Sequence, residues 1–541
     1  MHRARGVVRG SRGLMRPLLL GAAAAIVVAL AGTASLAAAQ SAAPISSEAD
    51  SYFLSDPVRE VVSEPPAVGD GEREPVRVVP LRGVPAAAGG AGAAASDPLK
   101  DKGAAPGKTP APDLVFDGLS HSDNEFPGLP PDTVGDVGPS HYIQMTNATN
   151  VAIFNKNGTL ALPPFDLGSL WPSGDCAVPD DGDPQVLWDS LAGRWVLLQF
   201  ALDSAPEGLC IAVSQTADPT GSWHLYQFTM PAFPDYPKIG VWPTGYYVGT
   251  NSGFPNQYYA HALNRTKMLA GDSTAELVSF GGQPNMMLPA DVDGTAGPDA
   301  QGGIFYTELD NVEHGGVDRI ELYRLTPDFA TPANSTFTNF ADIPIASFQW
   351  TACGFFVTSC VAQQGTSVKI DSASWWPMHR FAYRRFDKHE ALVGNFTVGA
   401  TAAENGASPR WFELRDTGSG WSLYQEGTHD PPDNHNRFMG SIAIAANGDI
   451  ALGYSVSSST TFPSIRYAIR KKGNPLGTLK PEETLRAGAG SQTSSSGRWG
   501  DYSAMSVDPA DECTFWYTNQ YYQTTSAADW KTAIGRIPCT N

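Results

Sequence analysis

Residues 183–230 read DPQVLWDSLAGRWVLLQFALDSAPEGLCIAVSQTADPTGSWHLYQFTM. Four runs rich in aliphatic, β-branched and aromatic residues (DPQVLWD, RWVLLQFA, LCIAVSQT and WHLYQFTM) alternate with segments rich in Gly, Pro, Asp and Ser, the pattern of four short strands joined by turns. No run carries a sustained 3.6-residue period, so helices are expected to be few and short.

The opening hairpin of this unit recurs along the chain. It returns as DVGPSHYIQMTN (136–147), IGVWPTGYYVGTN (239–251), AYRRFDKHEALVGNF (382–396), IAIAANGDIALGYS (442–455) and MSVDPADECTFWYTN (505–519), with a weaker copy in DVDGTAGPDAQGGIFYTEL (291–309). The copies follow one another at intervals of roughly 50 to 65 residues, with one interval of about 90, which is the spacing of propeller blades. The long interval holds FQWTACGFFVTSCVAQQGTSVKIDSAS (348–374), read as a cysteine-clipped insertion.

The expectation is an all-β fold: a seven-bladed β-propeller of four-stranded antiparallel blades, with six or eight as the alternative counts. Each blade buries its faces only against its neighbours, so the ring has to close. After Asp501 the sequence supplies strands only up to WKTAIGRIPC (530–539), and DLVFDGL (113–119) is assigned as the N-terminal strand that closes the last blade.

Upstream of the repeats the texture differs. Residues 1–39 place five arginines ahead of an uncharged apolar run and an Ala-rich stretch, the layout of a secretory signal peptide. Residues 40–112 are dominated by Ala, Gly, Pro, Glu and Asp, a composition that predicts a disordered tether or a segment trimmed in maturation. The propeller domain is assigned to 113–541. The mature protein is expected to be secreted, with no membrane span left after signal removal.

The 541-residue chain carries a formal net charge of −19, which argues against a nucleic-acid partner. Its six cysteines contain no CxxC pair, and in an exported chain they suggest disulfides. Proximity pairs Cys176 with Cys210, Cys353 with Cys360, and Cys513 with Cys539.

In a propeller the first strand of each blade lines the central channel, so the residues at its start converge on one mouth. Those starts read PPDTVGD (Asp132, Asp136), DDGDP (Asp183), PDYPK (Asp235, Tyr236, Lys238), PADVDG (Asp291, Asp293), MHRFAYR (His379, Arg380, Arg384), NHNRFMG (Arg437) and GRWGDY (Arg498, Asp501, Tyr502). Acidic groups come from the first four units and basic groups mostly from the last three. Such a ring would hold a substrate anion on Arg380, Arg437, Arg498 and Lys238, with Asp501 beside them. Asp183, Asp235 and Asp291 would supply acid, base or nucleophile, and His379 or Tyr502 would move protons. This chemistry is that of a glycoside hydrolase or a uronate lyase. The competing assignment is structural: Arg and Asp at strand starts pair to join adjacent blades, leaving a non-catalytic scaffold that binds glycan or protein.

No GxSxG, HExxH, Walker or dinucleotide motif is present. DDGD (180–183) and DVDGTAGPD (291–299) offer oxygen ligands of the kind calcium uses, without the EF-hand pattern; no cofactor is otherwise indicated. Trp375, Trp376, Trp411 and Trp421 are candidates for stacking on sugars or for packing between blades.

The collinear segments DTVGDVGPSHYIQMTN, DGDPQVLWDSLAGRWVLLQF, DYPKIGVWPTGYYV, MHRFAYRRFDKHEALVGNF, GSIAIAANGDIALGYSVSSSTTFPSIRY and RWGDYSAMSVDPADECTFWYTNQYY resemble a widespread, largely uncharacterised family of secreted bacterial proteins described as propeller-like. The resemblance implies export and a repeated β fold, and no reaction. More distantly, an arginine-bearing funnel resembles that of sialidases, onto which Arg380, Arg437, Arg498 and Tyr502 map. The S-x-D-x-G-x-T-W boxes of that group are missing here.

Overall fold

The computed structural model describes residues 43–539 except 63–76, 79–96, 101–102, 124–127, 179–181, 203–204, 253–256, 300, 313, 353–358, 375 and 400–405. The expected signal peptide therefore lies outside the described residues, as do Asp180, Asp181, Cys353 and Trp375. Among the described residues no helix is long and apolar enough to cross a membrane.

The fold is all-β, and among the described residues short α-helices occur only at Val58–Val61 and Arg265–Ala270, with a few 3₁₀ turns. Strands follow one another in antiparallel groups of four. The first group is Val134–Val137, His141–Thr146, Asn150–Asn155 and Phe165–Asp166. The quoted 183–230 stretch forms Gln185–Asp189, Arg194–Ala201, Gly208–Ser214 and Trp223–Thr229, matching the four runs read from sequence. A third group begins at Asp235–Trp242 and ends at Glu276–Gln283.

Two further groups, Leu288–Val292 to Thr336–Pro344 and Pro377–Phe386 to Trp421–Thr428, join into one eight-stranded sheet. Their first strands pair in parallel, with Asp291 opposite Ala382. Asn436–Ile444 opens the sixth group. In the seventh, Ala504–Val507, Phe515–Tyr522 and Trp530–Ile537 are completed by Leu114–Ser120, the N-terminal strand assigned from sequence. The first strands of consecutive groups lie beside one another, and Ala504–Val507 lies beside Val134–Val137. Close approach between groups demands small residues: a Cβ on Gly249 would stand 1.9 Å from the Met287 carbonyl oxygen.

Between Pro344 and Pro377 the described residues form no strand beyond a single bridge, Val361 to Ile370, so this stretch is an insertion as read. Cys176–Cys210 and Cys513–Cys539 are disulfides.

Within the tether expected over 40–112, the described residues of 43–62 and 97–112 are built into the fold. Ile45–Glu48 adds a fifth strand to the outer edge of the third group, and Ser51–Leu54 does the same for the second. Val58 is fully buried, Tyr52 packs on Tyr226, and Asp97 pairs with Arg410 in the fifth group. Average composition concealed these residues because a few strand-forming side chains are diluted by Ala, Gly and Pro. Two outer strands that would otherwise present open edges are thereby covered.

Candidate functional site

In the first and third groups the start of the first strand is held by the end of its own second strand. The Thr-Asn pairs that close two of the hairpins do this: Asn147 Nδ2 donates to Asp132 Oδ2 at 2.9 Å, and Asn251 Nδ2 donates to Asp235 Oδ2 at 3.2 Å. The strand starts are also laced to the neighbouring group through main-chain donors. Asp501 N donates to Asp132 Oδ1 (2.7 Å), Asp183 N to Asn147 Oδ1 (3.0 Å), and Tyr236 N to Asp183 Oδ2 (3.0 Å). Asp132, Asp183 and Tyr236 all take positive φ, at 40°, 48° and 52°. That conformation turns the chain into the strand and presents the donors and acceptors to the next group.

This lacing gathers Asp132, Asp183, Asp235, Asp501, Lys238, Arg498 and Tyr502 into one buried polar cluster. Arg498 donates to Asp371 Oδ2 at 2.9 Å and to Asp501 Oδ2 at 2.7 Å. Lys238, fully buried, places its ammonium 3.5 Å from the Tyr236 ring centroid and 3.8 Å from that of Tyr502, a cation–π arrangement that replaces lost water. Its Nζ also donates to the Pro237 carbonyl at 3.1 Å, and Tyr502 donates its hydroxyl to the Pro184 carbonyl at 3.1 Å.

Carboxylates outnumber cations here, and the electrostatics follow from that. Burial raises the Asp183 carboxyl to about 6, against the lowering influence of Lys238. Burial, reinforced by neighbouring carboxylates, raises Asp132 and Asp235 further. Burial also lowers Lys238 to about 8, against the pull of Asp183 and Asp501. Asp371 is pushed up to about 7 by burial despite Arg498.

Asp291 and Arg380 belong to a different cluster. Arg380 Nε donates to Asp291 Oδ2 at 2.9 Å, its Nη2 bonds the same oxygen, and Nη2 also reaches Asp293 Oδ1 at 2.8 Å. Asp291 lies inside the strand Leu288–Val292, deeper than the strand start that the sequence marker implied, and its other oxygen accepts from Val241 N at 2.9 Å. His379 lies within electrostatic reach of both Lys238 and Arg380, and burial holds its ring neutral.

Arg437 joins neither cluster. It forks onto Glu482 (2.8 and 3.0 Å) and Asp433 (3.0 and 2.6 Å), with no exposed side-chain surface. Its expected place among the anion-holding arginines is corrected: the guanidinium is taken up by Glu482, just before Glu483–Arg486, and by Asp433, just before its own strand, with Nη1 also donating to the His435 carbonyl at 3.2 Å.

Sequence reasoning missed Asp371, which arrives from the insertion, and Asn147 and Asn251. The recurring Thr-Asn at the hairpin ends was the available signal for the asparagines; nothing marked Asp371. It also missed Glu308, a fully buried carboxyl with neither oxygen bonded, raised by burial. Trp376 and Trp411 are buried in packing, Trp376 against Tyr236, whereas Trp421 is half-buried and lines a groove of about 390 Å³ at the far ends of the first strands. Asp291 and Asp293 hold a guanidinium where calcium was considered. Among the described residues no group of three or more His, Cys, Asp or Glu is arranged to hold a metal.

No family model matches the chain, and no curated protein matches it. Among solved structures, the chain is similar to a polysaccharide lyase, the PL25 ulvan lyase bound to -[GlcA(1-4)Rha3S]-, with 10% identity, TM-score 0.38, and coverage of 79% of this chain and 94% of that one. The α-L-arabinofuranosidase of Podospora anserina in complex with cellotriose aligns at 9% identity and TM-score 0.26, covering 66% and 90%. A subtype N10 neuraminidase-like protein of A/little yellow-shouldered bat aligns at 8% identity and TM-score 0.29, covering 79% and 98%.

Proposed function

We propose that the seven four-strand groups are the blades of a closed propeller in an exported protein, and that its central polar cluster acts on extracellular glycans by hydrolysis. The N-terminal strand in the last group and the adjacency of Ala504–Val507 to Val134–Val137 support the ring. The two disulfides support an oxidising compartment.

One observation carries the activity. Asp183 and Asp235 share a buried cluster in which neither forms an ion pair with an arginine among the described residues, and burial raises both carboxyls. One carboxyl retained as an acid beside one available as a carboxylate is the requirement for cleaving an acetal. Tyr236 packs against both Tyr502 and Trp376, which supplies aromatic surface within the same cluster. A uronate lyase is less well supported, because Arg380, Arg437 and Arg498 are each engaged by carboxylates.

A second reading, the non-catalytic scaffold, draws on the main-chain bonds that Asp132 and Asp183 accept from neighbouring groups. The deciding experiment is a screen of the full chain on neutral and acidic polysaccharides by reducing-end release and by absorbance of unsaturated products. Hydrolysis abolished in Asp183→Asn and Asp235→Asn, with folding retained, supports the enzyme. Unsaturated products would point to the lyase, and no turnover on any substrate would leave the scaffold.

A further inference from the structure

We propose that a cavity between residues 428–433 and 477–482 binds a single neutral sugar unit. It encloses about 350 Å³, at the small end of ligand pockets, and stands apart from the central cluster. This assignment does not depend on whether the central carboxylates are catalytic.

Its chemistry is set by a chain of hydrogen bonds. Tyr454 donates its one hydroxyl proton to Glu482 Oε2 at 2.9 Å, so the phenol oxygen must accept from His429 Nε2 at 2.8 Å. His429 is therefore the Nε2–H tautomer, and burial keeps its ring neutral. Nδ1 is left with a lone pair, no described residue donates to it, and the ring lines the cavity. A fixed acceptor thus faces the space.

The remaining wall defines the ligand class. Pro431, Pro432 and Pro481 supply rigid apolar surface, Thr428 and Thr478 carry hydroxyls, and among the described residues no lysine or arginine lines the cavity. Of the three carboxylates on the wall, Glu482 is compensated by Arg437 and Arg466 and Asp433 by Arg437, while Asp430 accepts from Ser408 Oγ at 3.1 Å. An anion finds no cation among the described residues of the wall, and Glu482 and Asp433 have no charge left over for an ammonium group. A polyol ring with several O–H donors and one apolar face fits both halves of the lining.

The cavity also needs the N-terminal segment. Gly103 and Ala104 form part of its wall. Ala105 N donates to the Leu479 carbonyl at 2.8 Å, and Thr428 Oγ1 donates to Asp97 Oδ2 at 2.6 Å. The segment read as tether is here a structural side of a binding site.

The test titrates the full chain by calorimetry with the methyl pyranosides of glucose, galactose and rhamnose, and with glucuronate and glucosamine as charged probes. Saturable binding of a neutral pyranoside is expected, weakened about tenfold in His429→Ala, the loss of one hydrogen bond. Ala104→Trp, which fills the space without touching the hydrogen-bond chain, should abolish it, and Asp183→Asn should leave it unchanged. The His429 Nδ1 resonance should shift on ligand addition. No saturable neutral binding, equal binding of glucuronate, full affinity in Ala104→Trp, or loss in Asp183→Asn would each overturn the proposal.

Discussion

Asp501 and Asp132, 369 residues apart in sequence, are joined by a 2.7 Å hydrogen bond from the Asp501 main-chain N–H to Asp132 Oδ1. The same carboxylate accepts from Asn147 Nδ2 at 2.9 Å, so one buried side chain holds the last group of strands, the first group and its own hairpin. Replacing Asp132 by Ala leaves two buried donors unsatisfied. The expected loss is about 2–6 kcal/mol of unfolding free energy, from about 1–3 for each of the two stranded groups, measured by denaturant titration. A loss below about 0.5 kcal/mol would mean that this bond is not structural.

Asp183 titrates at about 6 in the fold against 3.8 unperturbed, raised chiefly by burial. A raised carboxyl contributes stability that is complete below pH 3.8 and is lost as pH rises through about 6. Asp183→Asn does not ionise, so its melting temperature relative to the parent should climb between pH 4 and 7 and level off above. A pH-independent difference would contradict the shifted titration.

Lys238 is the cation that most lowers Asp183. Lys238→Met removes it from between the two tyrosine rings. The Asp183 midpoint should then move above its present value of about 6, read by carboxyl carbon NMR, and the acid–base limb of any glycan hydrolysis should move with it. An unchanged midpoint would show that Lys238 does not govern this group.

Arg437 and the central pair separate stability from activity. Arg437→Ala leaves Glu482 to Arg466 and Asp433 to His435, and should cost about 3 kcal/mol, the low end for a broken buried ion pair, while leaving turnover per folded molecule intact. Asp235→Asn should instead lower turnover by about 10²–10⁴-fold with little change in unfolding free energy. The reverse assignment of effects would move the site.

Val58, fully buried in the main core, tests the N-terminal segment. Val58→Ala should destabilise the whole domain by about 1–3 kcal/mol, and removal of residues 41–62 should lower the melting temperature in one cooperative transition. A truncated chain as stable as the parent would restore the simple tether.

Hydrophobic alternation and turn residues are local properties, so the four strands of 183–230, the recurring hairpins and the late arrival of Leu114–Ser120 were all legible in the amino-acid order. The Cys176–Cys210 and Cys513–Cys539 pairings, made by proximity, were legible for the same reason. Partnerships between charges were not. Asp183, Asp235, Lys238, Arg498 and Tyr502 share a cluster, whereas Asp291 with Arg380, and Arg437 with Asp433 and Glu482, are held elsewhere, because register and side-chain direction decide which carboxylate a guanidinium meets. A shift of a few residues along a strand moves a group to another layer. Sequence alone thus determined the β elements and their repetition, through spacing and turn chemistry; the tertiary structure decided which polar groups are paired and which remain available, because that depends on distances between segments hundreds of residues apart.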